Sequence, residues 1–417
     1  MSKIYINGGN KLNGEIKIHG AKNSALPILA ATLLCRGVSV VHNCPRLSDV
    51  DVSIRILENL GCVCFRDGDT VTVDALNVCG NEIPETLMRE MRSSIVFLGA
   101  IIGRTKSAVV SSPGGCELGP RPIDLHISSL KQLGINVDED HGFLKCTVND
   151  KINGAEINLS FPSVGATENI ILAAALSLGT TVIHNAAREP EISDLADFLN
   201  SAGAKIYGAG SDTVIIEGVK NLNGTEHTVI PDRIAAATYI CSAIATNGDI
   251  VLKNFMPSHQ VALLNMFRQC GCKMTPQQNT LRIKCDARPN RIPTIRTMVY
   301  PGFPTDAGPP VLAMLSIANG TTVFVESIFQ NRFKYIDELK RLGANITIHG
   351  NVAVIEGVTK LSGANTQCTD LRGGAALVVA GLAAEGITEI DKIFHIDRGY
   401  EDIELNLKNL GADIKRI

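Results

Sequence analysis

A glycine signal for the end of a helix recurs six times along the chain, at intervals of 68 to 73 residues. Each glycine follows an amphipathic run and precedes a strand-like segment, as expected for the residue just after a helix. The six glycines are Gly61, Gly134, Gly203, Gly271, Gly343 and Gly411. A period of this length indicates an internal structural repeat, so the fold must be built from six similar units.

Each repeat also contains a second predicted helix that is apolar on most faces and rich in alanine. Helices of this kind are buried, and their small side chains allow close packing. Five of the six are followed by glycine and a β-branched strand, so each unit reads helix, strand, helix, strand, strand. The buried helices are predicted over residues 21–34, 92–102, 165–178, 233–246, 306–318 and 372–384.

The last repeat is incomplete, and the first 21 residues of the chain supply what it lacks. Residues 372–417 are too few for a full unit, whereas residues 4–6 and 15–18 have the character of additional strands. We therefore predict an α/β protein with two domains of three repeats each. One domain comprises residues 22–230, and the other is discontinuous, comprising residues 1–21 and 231–417.

The composition excludes several classes of protein. A formal net charge of −3 argues against a general nucleic-acid binder, and no apolar run approaches the roughly 20 residues of a membrane span. The start of the chain does not resemble a signal peptide, so the twelve cysteines are expected to be reduced thiols of a cytoplasmic protein. The C-x-C pairs Cys62/Cys64 and Cys270/Cys272 are interpreted as buried packing, and no metal or cofactor is expected.

One cysteine lies in a segment that cannot be regular structure. Gly114 and Gly115 precede Cys116, and Pro120 and Pro122 forbid a helix until after residue 122. Two interpretations stay open: an incidental surface cysteine, or a reactive thiol on a lid over residues 111–120 that closes on a ligand. In the second case Arg121 would lower the pKa of the thiol and attract anionic groups.

Cations lie at the starts of four predicted buried helices. Two acidic residues, Asp232 and Asp306, also lie near such helix starts. A cation at a helix N-terminus typically costs about 0.3–1 kcal/mol. Four cations in register with the repeat therefore favour helix ends that converge on an anionic ligand, although ordinary boundary charges facing solvent remain the alternative. The four are Lys22, Arg92, Arg233 and Arg372.

Ten motifs occur in order along the chain: Gly20-Ala21-Lys22-Asn23, Met91-Arg92-Ser93-Ser94, the Cys116 segment with Arg121-Pro122-Ile123-Asp124-Leu125-His126, Pro162-Ser163-Val164-Gly165-Ala166-Thr167-Glu168-Asn169, Ala187-Arg188-Glu189-Pro190-Glu191-Ile192, Pro231-Asp232-Arg233, Phe303-Pro304-Thr305-Asp306, Asn331-Arg332-Phe333, Asp370-Leu371-Arg372 and His395-Ile396-Asp397-Arg398-Gly399-Tyr400-Glu401. In this order and spacing they resemble the UDP-N-acetylglucosamine enolpyruvyltransferases (1-carboxyvinyltransferases) of the enolpyruvyl transferase family. The resemblance covers essentially the whole chain.

The resemblance implies an inside-out α/β barrel in two domains, built from six βαβαββ-type repeats, with the active site in the cleft between the domains. It also implies transfer of the enolpyruvyl group of phosphoenolpyruvate to the 3′-hydroxyl of UDP-N-acetylglucosamine, with release of phosphate. This reaction would be the first committed step of peptidoglycan synthesis, which serves cell shape and division, and the enzyme would be a target of fosfomycin. The partners would be small-molecule substrates only; the oligomeric state stays open, with a monomer expected.

The resemblance assigns roles to individual residues. Asp306 corresponds to the base that deprotonates the sugar hydroxyl, and Cys116 to the general acid that also forms a covalent adduct with phosphoenolpyruvate. Lys22 and Arg398 complete the catalytic set. The residues implied to bind phosphoenolpyruvate are Lys22, Arg92, Cys116, Arg121, Arg332, Arg372 and Arg398. Those implied to bind UDP-N-acetylglucosamine are Asn23, Arg92, Arg121, Pro122, Ile123, Asp124, Leu125, His126, Ser163, Val164, Gly165, Asp306 and Ile328.

Three positions depart from the family pattern: the run from Ala307 to Pro310, where glutamines are common, and Ser48 and Phe161, where lysines occur in relatives. The run next to Asp306 is expected to alter the local fit around the base. Two other functions remain. One is 5-enolpyruvylshikimate-3-phosphate synthase, which would not need Cys116. The other is a catalytically idle paralogue that binds a UDP-sugar as a sensor or scaffold.

Overall fold

A computed structural model of the chain describes residues 2–111 and 123–417. Within these ranges the α-helices are α1 (Lys22–Thr32), α2 (Ser48–Asn59), α3 (Glu85–Glu90), α4 (Phe97–Thr105), α5 (Asp124–Gln132), α6 (Val164–Ala174), α7 (Pro190–Ser201), α8 (Arg233–Ala245), α9 (Val261–Arg268), α10 (Gly308–Leu315), α11 (Ile336–Arg341), α12 (Leu371–Ala383) and α13 (Ile403–Asn409). Short 3-10 helices occupy Arg92–Val96, Pro257–Gln260, Thr305–Ala307 and Ile393–Arg398.

The strands of the first half of the chain are β1 (Ile4–Asn7), β2 (Asn13–Lys17), β3 (Cys35–Arg36), β4 (Val38–His42), β5 (Val63–Asp67), β6 (Thr70–Asp74), β7 (Glu82–Ile83), β8 (Ser107–Ser111), β9 (Asn136–Asp140), β10 (Phe143–Thr147), β11 (Glu156–Asn158), β12 (Thr180–His184), β13 (Lys205–Tyr207), β14 (Thr213–Glu217), β15 (Leu222–Asn223) and β16 (Glu226–Thr228).

The strands of the second half are β17 (Asp249–Lys253), β18 (Lys273–Gln277), β19 (Thr280–Lys284), β20 (Thr294–Arg296), β21 (Thr321–Val325), β22 (Asn345–His349), β23 (Val352–Glu356), β24 (Leu361–Ser362), β25 (Asn365–Gln367), β26 (Ala384–Glu385), β27 (Ile387–Asp391) and β28 (Asp413–Arg416).

Six four-stranded sheets repeat one pattern of strand pairing in the described residues. In each, the first two strands run parallel and the remaining pairs are antiparallel, as in the order β16-β4-β6-β5. The other orders are β7-β8-β10-β9, β11-β12-β14-β13, β2-β17-β19-β18, β20-β21-β23-β22 and β25-β27-β1-β28. The α/β repeat architecture predicted from the glycine spacing is therefore confirmed.

The chain divides into two compact units. Unit 1 comprises residues 2–19 and 231–417, and unit 2 comprises residues 20–111 and 123–230. Three of the six sheets belong to each unit. In unit 1 the N-terminal strand β1 lies between β27 and β28, and β2 pairs with β17, so residues from both ends of the chain complete its sheets.

Apolar helices form the interior of each unit, and the sheets lie outside them. In unit 1 the helices α8, α10 and α12 pack against one another, and in unit 2 α4 packs against both α1 and α6. Almost all residues of α8 and α12 are buried, as the alanine-rich sequence predicts. The predicted helix-ending glycines are also confirmed, because all six have positive φ angles between 81° and 105°.

Two of the buried helices begin later than predicted. Residues 92–96 and 305–307 are 3-10 turns, and the α-helices proper start at Phe97 and Gly308. In α10, Pro309 and Pro310 fall in the first turn, where a missing backbone N–H costs no intrahelical hydrogen bond.

None of the helices in the described ranges is long and apolar enough to span a membrane.

Candidate active site

In unit 1 the carboxylate of Asp306 is bonded to two arginine side chains. Arg332 Nη2 donates to Asp306 Oδ1 at 2.9 Å, and Arg372 Nε donates to Asp306 Oδ2 at 3.3 Å. Both arginine side chains are only 3% exposed, whereas the carboxylate is 29% exposed. The base predicted from the sequence is therefore held by two buried guanidinium groups and is still accessible to a ligand.

The two arginines of this cluster retain unused hydrogen-bonding capacity. Nε of Arg332 and Nη1 of Arg372 are buried and have no acceptor among the described residues. A buried N–H without an acceptor loses its hydration without replacement, which is costly. These donors are therefore suited to an incoming anionic group such as a carboxylate or phosphate.

Arg372 is fixed in place by its helix start and by an aromatic ring. It is the second residue of α12, whose first N–H groups are capped by Asp370 Oδ1 at 3.0 Å. Its guanidinium lies 5.4 Å from the ring centre of Tyr400. Burial by itself lowers the pKa of Arg372, but the Tyr400 hydroxyl and the carboxylates of Asp306 and Asp232 outweigh it and raise that pKa.

The loop that carries Ile328 is fastened by a buried carboxylate, Glu326. Oε1 of Glu326 accepts hydrogen bonds from the backbone N–H groups of Ile328 at 2.8 Å and Phe329 at 3.2 Å. Oε2 accepts from the hydroxyl of Thr305, the residue before Asp306, at 2.8 Å. One acidic side chain therefore links the segment with the candidate base to the loop leading to Arg332.

The run from Ala307 to Pro310 fits closely behind the base. A Cβ atom at Gly308 would lie 2.9 Å from Phe324 Cζ, so only glycine allows this approach. The ring of Phe324 makes edge contacts with Phe303 and Phe333, at centroid distances of 5.9 and 6.2 Å. Gly308, two residues after Asp306, thus packs against an aromatic layer. Arg398, the last residue of its 3-10 turn, is half-buried in the same unit.

In unit 2, Lys22 begins the buried helix α1 and forms an ion pair with Asp49. The distance between Lys22 Nζ and Asp49 Oδ2 is 3.1 Å, and both residues are buried. The neighbouring Asn23 is half-buried, and Ser48 starts α2 directly before Asp49. Of the four cations predicted at helix starts, Lys22, Arg233 and Arg372 are buried and do not face solvent.

His126 is held against the start of α6. Its Nδ1 lies 2.9 Å from Asn169 Nδ2, and burial lowers the pKa of its imidazole to about 4 although Asp124 opposes this. A Cβ atom at Gly165 would lie 2.9 Å from His126 Cε1, so glycine is required for this contact. The imidazole is therefore neutral at physiological pH, and the predicted nucleotide residues His126 and Gly165 are in contact.

The N-terminus of α6 has the features of an anion-binding helix end. Ser163 caps the helix, with its Oγ accepting from the N–H of Ala166 at 3.4 Å, and Val164 and Gly165 form the first turn. No acidic residue lies in that turn. Nearby, Ile123 and Leu125 are half-buried and Asp124 is exposed at the start of α5. Free N–H groups in such a turn favour a phosphate or carboxylate.

Several predicted site residues fall outside the described part of the chain. These are Cys116, Arg121 and Pro122, together with the predicted lid over residues 111–120 apart from Ser111, which ends β8. For Arg92 the backbone is described, as the start of a 3-10 turn, but not the side chain.

Sequence reasoning missed several supporting residues. Asp49 was not predicted as the partner of Lys22, although an acidic residue in the first turn of a helix is a recognisable signal. Asp370 carried the usual sign of an N-cap, two residues ahead of Arg372. Glu326 gave no sequence signal, because only the folded chain surrounds it with donors. Within the described ranges, no group of three or more His, Cys, Asp or Glu residues is arranged to hold a metal ion.

The names of known proteins similar to this chain describe one type of reaction, carboxyvinyl (enolpyruvyl) transfer. A family model described as EPSP synthase (3-phosphoshikimate 1-carboxyvinyltransferase) matches residues 6–407. The chain is 54% identical over 417 residues to UDP-N-acetylglucosamine 1-carboxyvinyltransferase 2 of Caldanaerobacter subterraneus subsp. tengcongensis, with 100% of both chains covered. It is 46% identical over 417 residues to UDP-N-acetylglucosamine 1-carboxyvinyltransferase of Geobacter metallireducens, again with 100% of both covered.

Solved structures agree with this relationship. The enolpyruvyl transferase NikO from Streptomyces tendae matches with a TM-score of 0.90 at 25% identity, covering 100% of this chain and 98% of that one. EPSP synthase from Acinetobacter baumannii matches with a TM-score of 0.79 at 18% identity, covering 100% of both chains, and supports the fold alone. The chain therefore belongs to the EPSP synthase family of carboxyvinyl (enolpyruvyl) transferases.

Proposed function

We propose that the protein transfers the enolpyruvyl (1-carboxyvinyl) group of phosphoenolpyruvate to the 3′-hydroxyl of UDP-N-acetylglucosamine, with release of phosphate. The observation that carries the proposal is the Asp306 cluster, where an accessible carboxylate is paired with two buried arginines that keep spare donors. Such a reaction needs a base for a hydroxyl and cations for a dianionic substrate. The names of relatives at 46 to 54% identity support the choice of UDP-N-acetylglucosamine as acceptor.

The chemistry proceeds by addition and then elimination. Asp306 takes the proton of the sugar hydroxyl as its oxygen attacks C2 of phosphoenolpyruvate, and Cys116 gives a proton to the vinyl CH₂ group. The resulting tetrahedral ketal loses phosphate and a proton from the new methyl group, which restores the double bond. Arg332, Arg372 and Arg398 stabilise the carboxylate and phosphate charges while they shift.

Residues of unit 2 supply the remaining roles. Lys22 and Arg92 bind phosphoenolpyruvate together with Arg121. The first turn of α6 and the segment ending at His126 bind the uridine and diphosphate, and Asn23 contacts the sugar. The neutral state of the buried His126 suits a hydrogen bond to an uncharged base better than an ion pair with phosphate.

The biological setting follows from the two substrates. Phosphoenolpyruvate and nucleotide sugars are metabolites of the cytoplasm, so the activity is assigned there, at the first committed step of peptidoglycan synthesis. Small-molecule substrates suffice as partners for this reaction, and the residues assigned to it need no metal or organic cofactor.

Phosphate release with different acceptors tests the proposal. The purified protein is mixed with phosphoenolpyruvate and either UDP-N-acetylglucosamine, shikimate 3-phosphate or no acceptor, and phosphate is measured over time. Release that depends on UDP-N-acetylglucosamine is expected. Release with shikimate 3-phosphate would instead support the EPSP synthase alternative. Binding of the nucleotide sugar without any phosphate release would support the catalytically idle paralogue.

Fosfomycin provides a separate test of Cys116. This epoxide phosphonate resembles phosphoenolpyruvate, so the same cations would hold it within reach of the thiolate. We expect one covalent adduct by intact mass, mapped to Cys116, and faster when UDP-N-acetylglucosamine is present.

The matched variant is Cys116→Asp, because a carboxylate can exchange protons but is a poor nucleophile toward an epoxide. It should keep turnover and resist the drug. An adduct on another cysteine, or none with nucleotide sugar present, would remove Cys116 from the proposed mechanism.

A further inference from the structure

Two cysteines of unit 1 lie with their sulfur atoms in close contact, away from the Asp306 cluster. Sγ of Cys272 and Sγ of Cys285 are 2.6 Å apart, which approaches the bonded length of about 2.05 Å. Both residues are buried, with 9% and 2% of their surface exposed. Neither has a role in the proposed transfer reaction.

The backbone around these cysteines is held by a regular strand pair. Cys272 directly precedes β18 and Cys285 directly follows β19, and the adjoining residues Lys273 and Lys284 are register partners in that antiparallel ladder. The N–H of Cys285 is also bonded to the carbonyl of Gly248 at 2.9 Å. The two side chains therefore meet because of the sheet and do not depend on a mobile loop.

The internal repeat shows that packing does not require cysteines at these two positions. The equivalent positions, before the first strand and after the second strand of the hairpin, carry small residues in several other units, whereas the second repeat has Ile135 and Val148 there. The small residues are Ala204 with Gly218 and Ala344 with Gly357, and the first repeat has Cys62 with Ala75. The backbone bond to the preceding glycine carbonyl is kept in these repeats, as in Ala75 to Gly37. Among the residues that the structure describes, two cysteines meet at this site in one repeat only.

We propose that Cys272 and Cys285 form an intrachain disulfide when the protein is exposed to a peroxide, making this hairpin a site of reversible oxidative modification. The cysteines close a loop of 14 residues, which restricts the unfolded chain and stabilises the unit around β18 and β19.

The chemistry is balanced with hydrogen peroxide as the oxidant. The Cys272 thiolate attacks one oxygen, the O–O bond breaks and hydroxide leaves, giving a sulfenic acid on Cys272. The sulfur of Cys285 then attacks Cys272, the S–O bond breaks and water leaves with the thiol proton of Cys285. The two sulfurs together lose two electrons, and one peroxide becomes two water molecules.

Cys272 is the more exposed of the two cysteines, 9% against 2%, which favours it as the sulfur that reacts first. The Cys285 thiol donates a hydrogen bond to Cys272, which lowers the pKa of Cys272 although burial opposes this. The same hydrogen bond, followed by burial, raises the pKa of Cys285, so it remains protonated as the second partner. Burial raises the pKa of the neighbouring Cys270 to about 12, which makes it a poor competitor.

The test is peptide mapping of the folded full-length protein after treatment with hydrogen peroxide. Remaining thiols are alkylated under denaturing conditions, and the digest is analysed by mass spectrometry with and without a reducing agent. We expect a peptide pair joined through Cys272 and Cys285, lighter by two hydrogen atoms than the reduced pair and released on reduction. The thermal midpoint of the oxidised protein should exceed that of the reduced protein by roughly 5 °C or more.

Two variants make the result specific. Cys285→Ala should lose the cross-link and the redox shift in thermal midpoint, and it should fold because Ala75 occupies the equivalent position in the first repeat. Cys62→Ala, the matched buried cysteine of that repeat, should keep both. Full alkylation of Cys272 and Cys285 after peroxide treatment, or a cross-link from either of them to another cysteine, would overturn the proposal. Since the readouts are chemical, they are independent of enolpyruvyl transfer.

Discussion

At the scale of single residues, the chemistry of this protein depends on how neighbours hold a few ionisable groups. The carboxylate of Asp306 accepts hydrogen bonds from Arg332 and Arg372, and both arginine side chains are almost fully buried. Such an arrangement restricts rotation of the carboxylate. Two replacements, at Asp306 and at His126, separate the contribution of charge from that of shape.

Replacement of Asp306 by asparagine should abolish turnover but not nucleotide-sugar binding. The amide keeps the shape of the side chain but cannot accept a proton, and loss of a general base typically costs about 100- to 10,000-fold in rate. Binding of UDP-N-acetylglucosamine, measured by calorimetry, should stay within roughly tenfold of wild type. An Asp306→Asn variant with most of the wild-type turnover would show that the hydroxyl proton goes elsewhere.

His126 should make the protein less stable in mild acid. Its pKa is about 4 in the folded chain and about 6.5 when unfolded, because burial disfavours the imidazolium. Between these values the unfolded state binds the extra proton, so stability is present above pH 6.5 and is lost as the pH falls toward 4. The contribution at stake is up to roughly 3 kcal/mol.

Urea unfolding of wild type and His126→Asn between pH 4 and pH 7 measures this effect. The variant should have a smaller pH dependence, whatever its stability at pH 7. His141, whose side chain is 94% exposed, provides the control, and His141→Asn should leave the slope unchanged. Equal slopes for wild type and His126→Asn would rule out the neutral buried imidazole.

At the scale of elements, the turn from each buried helix into the next strand requires a positive φ angle. Glycine takes this angle in four of the repeats, at Gly37, Gly179, Gly320 and Gly386, with φ between 81° and 111°. The corresponding residue after α4 is Lys106, with φ of 67°. A side chain in the left-handed region costs about 1 kcal/mol relative to glycine, so this turn is strained where the four glycine turns are not. In the turn after α8 the positive angle falls on Asn247, with φ of 52°.

Lys106→Gly should therefore stabilise the protein by about 1 kcal/mol, seen as a higher urea midpoint with an unchanged slope. The reverse change, Gly179→Ala, should destabilise by a similar amount. No atom lies within 4 Å of the added Cβ there, so the cost comes from the backbone angle alone. If Lys106→Gly were neutral or destabilising, the contact of its side chain with the carbonyl of Gly103 would outweigh the strain.

At the scale of the whole molecule, unit 1 is assembled from both ends of the chain. The N–H of Lys3 bonds to the carbonyl of Ile417 at 2.7 Å, and the reverse bond from Ile417 to Lys3 is 2.9 Å. The two ends are thus adjacent on neighbouring antiparallel strands. A short linker can join them without crossing the sheet.

A single chain of residues 231–417, a flexible linker of about four residues and residues 2–19 should fold on its own. It contains the three buried helices α8, α10 and α12 and the three four-stranded sheets of unit 1, whereas residues 231–417 alone lack β1 and β2. Circular dichroism and thermal unfolding should show one cooperative transition for the linked chain and none for the shorter fragment. Equal folding of the two fragments would show that the N-terminal strands are dispensable.

Much of this fold could be read from local rules, because each rule concerns residues close in sequence. Gly61 and its five counterparts mark helix ends by a backbone angle that other residues adopt only with strain. The alanine-rich runs identify buried helices whatever they pack against. The late starts of α4 and α10 are the exceptions, because residues 92–96 and 305–307 form 3-10 turns ahead of them.

The repeat, the nature of its helices and the residue types needed for an anionic substrate all follow from local sequence patterns. Which of these residues meet follows from the folded chain. Asp306 lies 26 residues from Arg332 and 66 from Arg372, and no local preference spans such separations. Glu326 and Cys285 likewise acquired partners through sheet register and loop closure. Contacts of this kind depend on how complete elements pack, and that packing is set by buried surface summed over the whole unit.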